Sequence, residues 1–159
     1  MKHLPKHLRP RWRYLAVRVE TWLDADLGRR AFQREVWYAA QNLLGDPGSA
    51  DADLTVVDFD HDEGTGHAVV RVRRGETDAA RAALACVDAV DGEPVGLRVA
   101  GTSGTLRACE EKYIRGPSES ADQRQVVFGN ASRRAVSRGE RSDVRTDDAF
   151  VGATDLDFR

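Results

Sequence analysis

The 159 residues are enough for one domain with a packed core and too few for two ordinary ones. Hydrophobic residues make up 41% and charged residues 31%, an ordinary balance for a soluble globular protein, and no apolar run approaches the roughly 18 residues that a membrane span requires. A net charge of -2 hides an uneven distribution: residues 1–13 carry Lys2, Lys6, Arg9, Arg11 and Arg13 with no acid, whereas residues 46–63 carry seven acids with no Lys or Arg. That segregation predicts a polyanion-binding side and a solvated acidic side. Arg outnumbers Lys 21 to 3 and Asp outnumbers Glu 17 to 9, usage expected of a salt-adapted chain whose carboxylates hold water and ions at the surface.

The N-terminus, MKHLPKHLRPRWRY, is basic, but no apolar segment of a signal's length follows it, so a cytoplasmic location is expected. The segment RYLAVRVE, 13–20, then alternates, with Leu15, Val17 and Val19 on one face and Tyr14, Ala16 and Arg18 on the other. This predicts a half-buried strand. Asp26 is placed to cap a helix over about 27–44, where Phe32, Val36, Ala39, Ala40 and Leu43 recur at helical steps and Gly45 with Pro47 supplies the stop. LTVVDFD, 54–60, and HAVVRVRR, 67–74, read as a hairpin rich in β-branched residues. Next comes GETDAARAALACVDAVDG, a second helix with Thr77 as cap, Ala80, Leu84 and Val87 on one face, and an end at Asp91-Gly92. VGLRVAG, 95–101, is a fourth strand, and GTSGTLRACEEKYI, 101–114, leads into a third helix that Gly116-Pro117 ends.

Strand, helix, strand, strand, helix, strand and an added helix make an α+β protein: a ferredoxin-like, RRM-like sandwich with a four-stranded antiparallel sheet. The expected layout is a basic arm over 1–12, the sandwich over 13–116 and a polar, extended or disordered tail over 117–159. Both helices cover one sheet face. The other is left open, and Arg18, Arg71 and Arg73 would make it positive. Six Arg between Arg124 and Arg145 face only Glu140 and Asp143. That part of the tail suits a phosphate backbone, and a merely solvated tail explains it equally.

The run DFDHDEGTGH, 58–67, fails the EF-hand template because Glu63 and Val69 stand where Gly and Glu are required, and an acidic hairpin turn is expected there. Four scattered histidines identify no base, so no covalent chemistry is expected of the protein itself. Cys86 and Cys109 form no CxxC pair, which leaves buried free thiols. The GTSG turn is not a Walker loop, since Leu106 occupies the place of the required Gly, and a KH loop would join two helices rather than follow a strand. What remains is a glycine turn at a helix start, with Ser103 or Thr102 as cap and Arg107 one turn in, suited to an anion. A capped helix with an Arg107–Glu111 pair is the alternative. LPKHLRPRWRY adds cations interleaved with Trp12 and Tyr14, held extended by two prolines, a pattern fit for backbone contact and stacking.

Two of these segments together carry a resemblance. LPKHLRPRWRYLAVRV at the start and SGTLRACEEKYI after the fourth strand resemble the signatures of the archaeal ribonuclease P protein component 2 family, related to a conserved subunit of eukaryotic ribonuclease P and MRP. The likeness covers about residues 1–116, and 117–159 is an extension of the general pattern. It implies a subunit of the endonuclease that removes the 5′ leader from precursor tRNA, with the chemistry carried by the RNA subunit and its Mg2+ ions and no cofactor or metal on the protein. The partners it implies are ribonuclease P RNA, precursor tRNA and ribonuclease P protein component 3, with self-association inside a heterotetramer and no membrane. By matching position, the implied RNA contacts are Lys6, Arg9, Arg11 and Arg13 in the arm and Ser103, Gly104, Thr105, Arg107 and Lys112 at the last helix. HAVVRVRR has Val and Arg where an RRM carries aromatics, so phosphate and shape contacts are expected rather than stacking on the sheet. The open face is then left to the added helix or to a protein partner. A stand-alone RNA-binding module and a small-molecule regulatory domain are the rival classes.

Overall fold

The computed structural model describes residues 5–9, 11–116, 121–146 and 149–158. The charge on Lys2 and the Pro117 half of the predicted helix stop lie outside them. A short 3-10 turn at Lys6–Leu8 opens the described chain where an extended arm was expected.

Strand β1 (Trp12–Glu20) is central to the first sheet. It pairs antiparallel with β3 (Thr65–Arg73) on one side and β6 (Gly96–Ser103) on the other, and β2 (Thr55–Asp62) forms the outer edge, giving the order β2-β3-β1-β6. Alternation along β1 sets the two faces. Leu15, Val17 and Val19 join Val56, Ala68, Val70 and Val72 in a core closed by Phe32, Val36 and Ala40 of α1 (Arg29–Ala52) and by Ala80, Ala83 and Leu84 of α2 (Thr77–Ala85). Each such side chain fully buried contributes about 1.5–3 kcal/mol for the larger residues, which is why the apolar pattern dictates this face.

Several local expectations are corrected. Asp26 does not cap α1; Gly28 is the N-cap and no side chain bonds there. Gly45 does leave the helical region (φ 73°, ψ 172°), but the chain resumes helix to Ala52, with Pro47 tolerated because it opens the second segment. Leu43 is exposed, and Leu44 packs on the core in its place. Thr77 begins α2 rather than capping it. That helix ends at Ala85, and the chain forms a small ladder of β4 (Ala89–Val90) and β5 (Glu93–Pro94) around the Asp91-Gly92 turn. Cys86 therefore sits in the turn after the helix and is exposed, whereas Cys109 is buried. The β2–β3 hairpin turns on Glu63 (φ 49°) and Gly64 (φ 80°), the positive-φ pair a two-residue connection needs.

The largest departure lies beyond the last helix. Where an extended or disordered tail was expected, β7 (Asp122–Phe128), β8 (Ala131–Arg138), β9 (Arg141–Thr146) and β10 (Ala149–Ala153) form a second antiparallel sheet, ordered β10-β9-β8-β7. Val126, Ala135, Val144 and Ala153 make its small core, with Phe128, Val151 and Phe158 packed against them. Four of the six tail arginines are engaged inside the molecule. Arg124 pairs with Asp155, Arg141 with Glu20, Arg145 with Asp24, and Arg138 is buried. Arg138, Arg141 and Arg145 dock this sheet against the end of β1 and the loop after it, and Arg124 ties β7 to the turn after β10, which argues against the sheet's tracking a phosphate backbone.

Candidate nucleic-acid interface

The second face of the first sheet is closed by the added helix. Helix α3 (Leu106–Cys109) continues as a π-helical turn over Glu110–Ile114, and Leu106, Cys109, Tyr113 and Ile114 pack on Ala16, Val69 and Tyr14. Burial pushes the Cys109 thiol up to about 11, with the neighbouring Glu110 carboxylate adding to the effect, so this thiol is inert at neutral pH. Arg18 donates to the Tyr113 carbonyl at 2.6 Å, and Arg71 lies over the Trp12 ring at 4.1 Å. The arginines expected to make an open positive face are thus partly spent in holding the helix and the start of β1. Arg73 is also drawn toward Trp12, at 5.6 Å, and toward Asp53, at 3.8 Å.

The two glycines of GTSG serve different ends. Gly101 lies inside β6 opposite Ala16, and a Cβ built on it would meet the Tyr113 ring at 2.1 Å. Its purpose is close packing. Gly101→Leu should therefore unseat Tyr113 and cost about 1–3 kcal/mol, the usual range for overpacking, readable as a lower urea midpoint together with a changed tyrosine environment. Gly104 stands in the turn itself, where a Cβ would come within 2.9 Å of an Arg13 guanidinium nitrogen.

That approach follows from strand register. Tyr14 pairs with Ser103 and Leu15 with Thr102, so the residue before Tyr14 is carried to the mouth of the turn. Arg13, Ser103, Gly104 and Thr105 are thereby assembled at one corner of the sheet. Thr105, not Ser103 or Thr102, is the N-cap: its hydroxyl accepts from the Ala108 amide at 3.1 Å, because only Thr105 stands three residues before that amide. Arg107 is 85% exposed and its Nε donates to Glu111 at 2.9 Å, the i, i+4 pair named as the alternative. Solvent leaves such a pair weak, so Arg107 remains able to exchange Glu111 for an anion. Lys112 lies a turn further on, with its ammonium 5.4 Å from the Tyr113 ring.

Arg11 leads directly into β1, where its carbonyl accepts from the Arg74 amide at 2.8 Å. Lys6 and Arg9 are exposed beside the Lys6–Leu8 turn. Arg81 was missed by sequence reasoning. It reaches from α2 to the Thr102 hydroxyl at 3.4 Å, adding a further cation beside the turn; an arginine on the polar side of a helix gives no sign of which turn it approaches. Among the described residues no group of three or more His, Cys, Asp or Glu is arranged to hold a metal ion.

A model of the Rpp14/Pop5 family matches residues 13–114, more than half of the chain. The chain belongs to the Rpp14/Pop5 family. Ribonuclease P protein component 2 of Haloarcula marismortui is 68% identical over 161 aligned positions, covering 100% of both chains, and that of Halorubrum lacusprofundi is 63% identical over 99% of each. The protein of that name in Thermococcus kodakarensis is 34% identical over 71% of this chain and 91% of its own. A chain in the cryo-EM structure of yeast ribonuclease MRP matches at 16% identity with a TM-score of 0.47 over 61% of this chain and 76% of its own, a likeness too slight to carry an argument. The Rpp14/Pop5 match ends at residue 114, so the second sheet stands outside the family model. Among the described residues no helix is long and apolar enough to cross a membrane.

Proposed function

We propose that the chain serves as a non-catalytic protein subunit of ribonuclease P, holding a stretch of the catalytic RNA at the corner where β1 and β6 meet α3. The fold suited to this is a ferredoxin-like sandwich whose second face is sealed by α3, with the arm as its N-terminal extension. The observation that carries the reading is the seating of Arg13 against Gly104, which brings the basic N-terminal segment and the glycine turn to one place. Arg13, Arg107 and Lys112 with the Thr105-capped turn offer cations and a side chain-free backbone to a ribose-phosphate strand. Lys6, Arg9 and Arg11 extend that cationic track, and Ser103 contributes a hydroxyl. In this reading the hydrolysis of precursor tRNA is left to the RNA and its Mg2+ ions. Ribonuclease P protein component 3 is the protein partner this reading assigns, in the cytoplasm, within an assembly holding more than one copy of the chain.

RNA cleavage of this kind places metal ions among crowded phosphates. A protein that neutralises nearby backbone lowers the Mg2+ needed to reach the active fold, because it replaces diffuse counterions at those phosphates. Omitting the subunit from a reconstituted enzyme should shift the Mg2+ dependence of precursor tRNA cleavage to higher concentration, with activity recovered when Mg2+ is raised. An unchanged Mg2+ profile would count against the proposal.

A further inference from the structure

The sheet face that α3 covers carries a polar hollow beyond the π-helical turn. Strand register sets Asp60 of β2 beside His67 of β3, and His67 beside Arg18 of β1; one step nearer the hairpin turn, Asp62 stands beside Thr65. Arg18 pairs in turn with Arg98 of β6, so a single row crosses the sheet from carboxylate to guanidinium. Arg18, Asp60, Asp62, Thr65 and His67 line a hollow of about 330 Å³ against Ile114 at the end of the turn. That is room for one heterocyclic base.

Its polar groups are only partly used within the molecule. His67 pairs with Asp58 at 3.3 Å, and Arg18 gives one N–H to the Tyr113 carbonyl. Among the described residues the Asp60 and Asp62 carboxylates have no hydrogen-bond or ion-pair partner, and the Thr65 hydroxyl is buried without one. The hollow therefore offers carboxylate acceptors, a guanidinium with further donors and a hydroxyl that can do either. Charge selects among occupants. A phosphate placed here would meet Asp60 and Asp62, and a cationic side chain would meet Arg18. No group of three or more metal-ligating side chains is present among the described residues to hold an ion. A neutral group with donors on one edge and acceptors on another suits both ends. Among the bases only guanine sets two adjacent donors, N1–H and N2–H, against a carboxylate while turning O6 and N7 toward an arginine. Single-stranded RNA can splay such a base out of its stack.

We propose that this hollow takes one extruded guanine of a single-stranded RNA segment, with its Watson–Crick edge against the Asp60 and Asp62 carboxylates and its O6 and N7 toward Arg18. Arg98, exposed and next in the row, then meets the phosphate of that nucleotide. Arg18 stands four residues along β1 from Tyr14, roughly 13 Å at about 3.3 Å per residue, on the same sheet face. One RNA strand can therefore reach both the hollow and the corner at Gly104. The proposal rests on the reading of the chain as an RNA-holding subunit: the corner supplies affinity through phosphates, and the hollow supplies a choice of base.

The test measures, by fluorescence anisotropy, binding of the full chain to short uridine RNAs that carry one guanine, one inosine, one adenine or no substitution at the centre. High salt is used, where phosphate contacts fade and hydrogen bonds to a base persist. The wild-type chain should bind the guanine RNA about tenfold more tightly than the adenine or all-uridine RNA, and inosine, which lacks the N2 amine, should lose most of that gain. In the Asp60→Asn, Asp62→Asn variant the preference should vanish while affinity for the all-uridine RNA holds or rises, because two negative charges are gone. A purely electrostatic role for these carboxylates would instead strengthen binding of every RNA alike, and thermal melting confirms that the variant is folded. Equal wild-type affinity for all four RNAs would overturn the proposal, as would a guanine preference that survives in the double variant. Ribonuclease P RNA bound by the wild-type chain without any guanine preference removes the hollow alone; failure to bind that RNA or any of the short ones removes the RNA-subunit reading itself.

Discussion

Arg138→Ala is expected to lower stability by about 3–5 kcal/mol and to free the second sheet from the first, because removing one member of a buried ion pair strands the rest. Arg138 is 2% exposed. Its guanidinium donates to the Thr21 carbonyl at 2.7 Å, to the Gly64 carbonyl at 2.8 Å and to Asp143 at 2.8 Å, with Glu20 at 3.9 Å. The planar fork of arginine satisfies carbonyls and carboxylate together. Lysine at this position would keep the charge and lose that geometry, so Arg138→Lys should recover only part of the deficit. Native-state hydrogen exchange reads the outcome: protection over β7–β9 should fall first in Arg138→Ala, ahead of β1 and β3.

The same cluster sets a sign for pH. Burial raises the Asp143 carboxyl above its ordinary range and outweighs the opposing pull of Arg138; Glu20 adds to the rise and Arg141 reduces it. A raised carboxyl binds more protons folded than unfolded, so its ionised form opposes folding at neutral pH, and that penalty disappears as pH falls through the folded value. Asp143→Asn should therefore cost less than Arg138→Ala. High salt should weaken the exposed Arg124–Asp155 and Arg145–Asp24 pairs far more than the buried arginine.

How far the sequence was legible follows from where the determining interactions lie. The alternation of Leu15, Val17 and Val19 and the helical spacing of Phe32, Val36 and Ala40 are local signals, and the first sheet with its two helices matches them. The second sheet was hidden because its strands are rich in Arg and Ser, and its core is built largely of small residues such as Ala135 and Ala153. Hairpin punctuation was present all the same: Gly129 (φ 58°) and Asn130 (φ 63°) link β7 to β8, and Gly139 (φ 59°) helps link β8 to β9. The anchor of that sheet, Arg138, binds carbonyls 117 and 74 residues away, which no window along the chain reveals. At the candidate interface, Arg13 beside Gly104 depends on the pairing of two strands distant in sequence. Gly101 was read as part of an anion turn because its partner, the Tyr113 ring, returns to it only after α3 has folded back over the sheet.

Whether RNA is held at the β1–β6 corner is decided by RNA binding of the full chain with Arg13→Gln, Arg107→Gln and Lys112→Gln combined. The salt titration of this triple variant is compared with that of wild type and of an Arg133→Gln, Arg134→Gln control on the second sheet. The triple variant should bind ribonuclease P RNA at least about tenfold more weakly, with a log–log salt slope shallower by roughly 2–3, one unit or slightly less for each phosphate that the protein no longer neutralises, while the control resembles wild type. Wild-type affinity and slope in the triple variant, with the weakening found in the control instead, would contradict an RNA site at that corner.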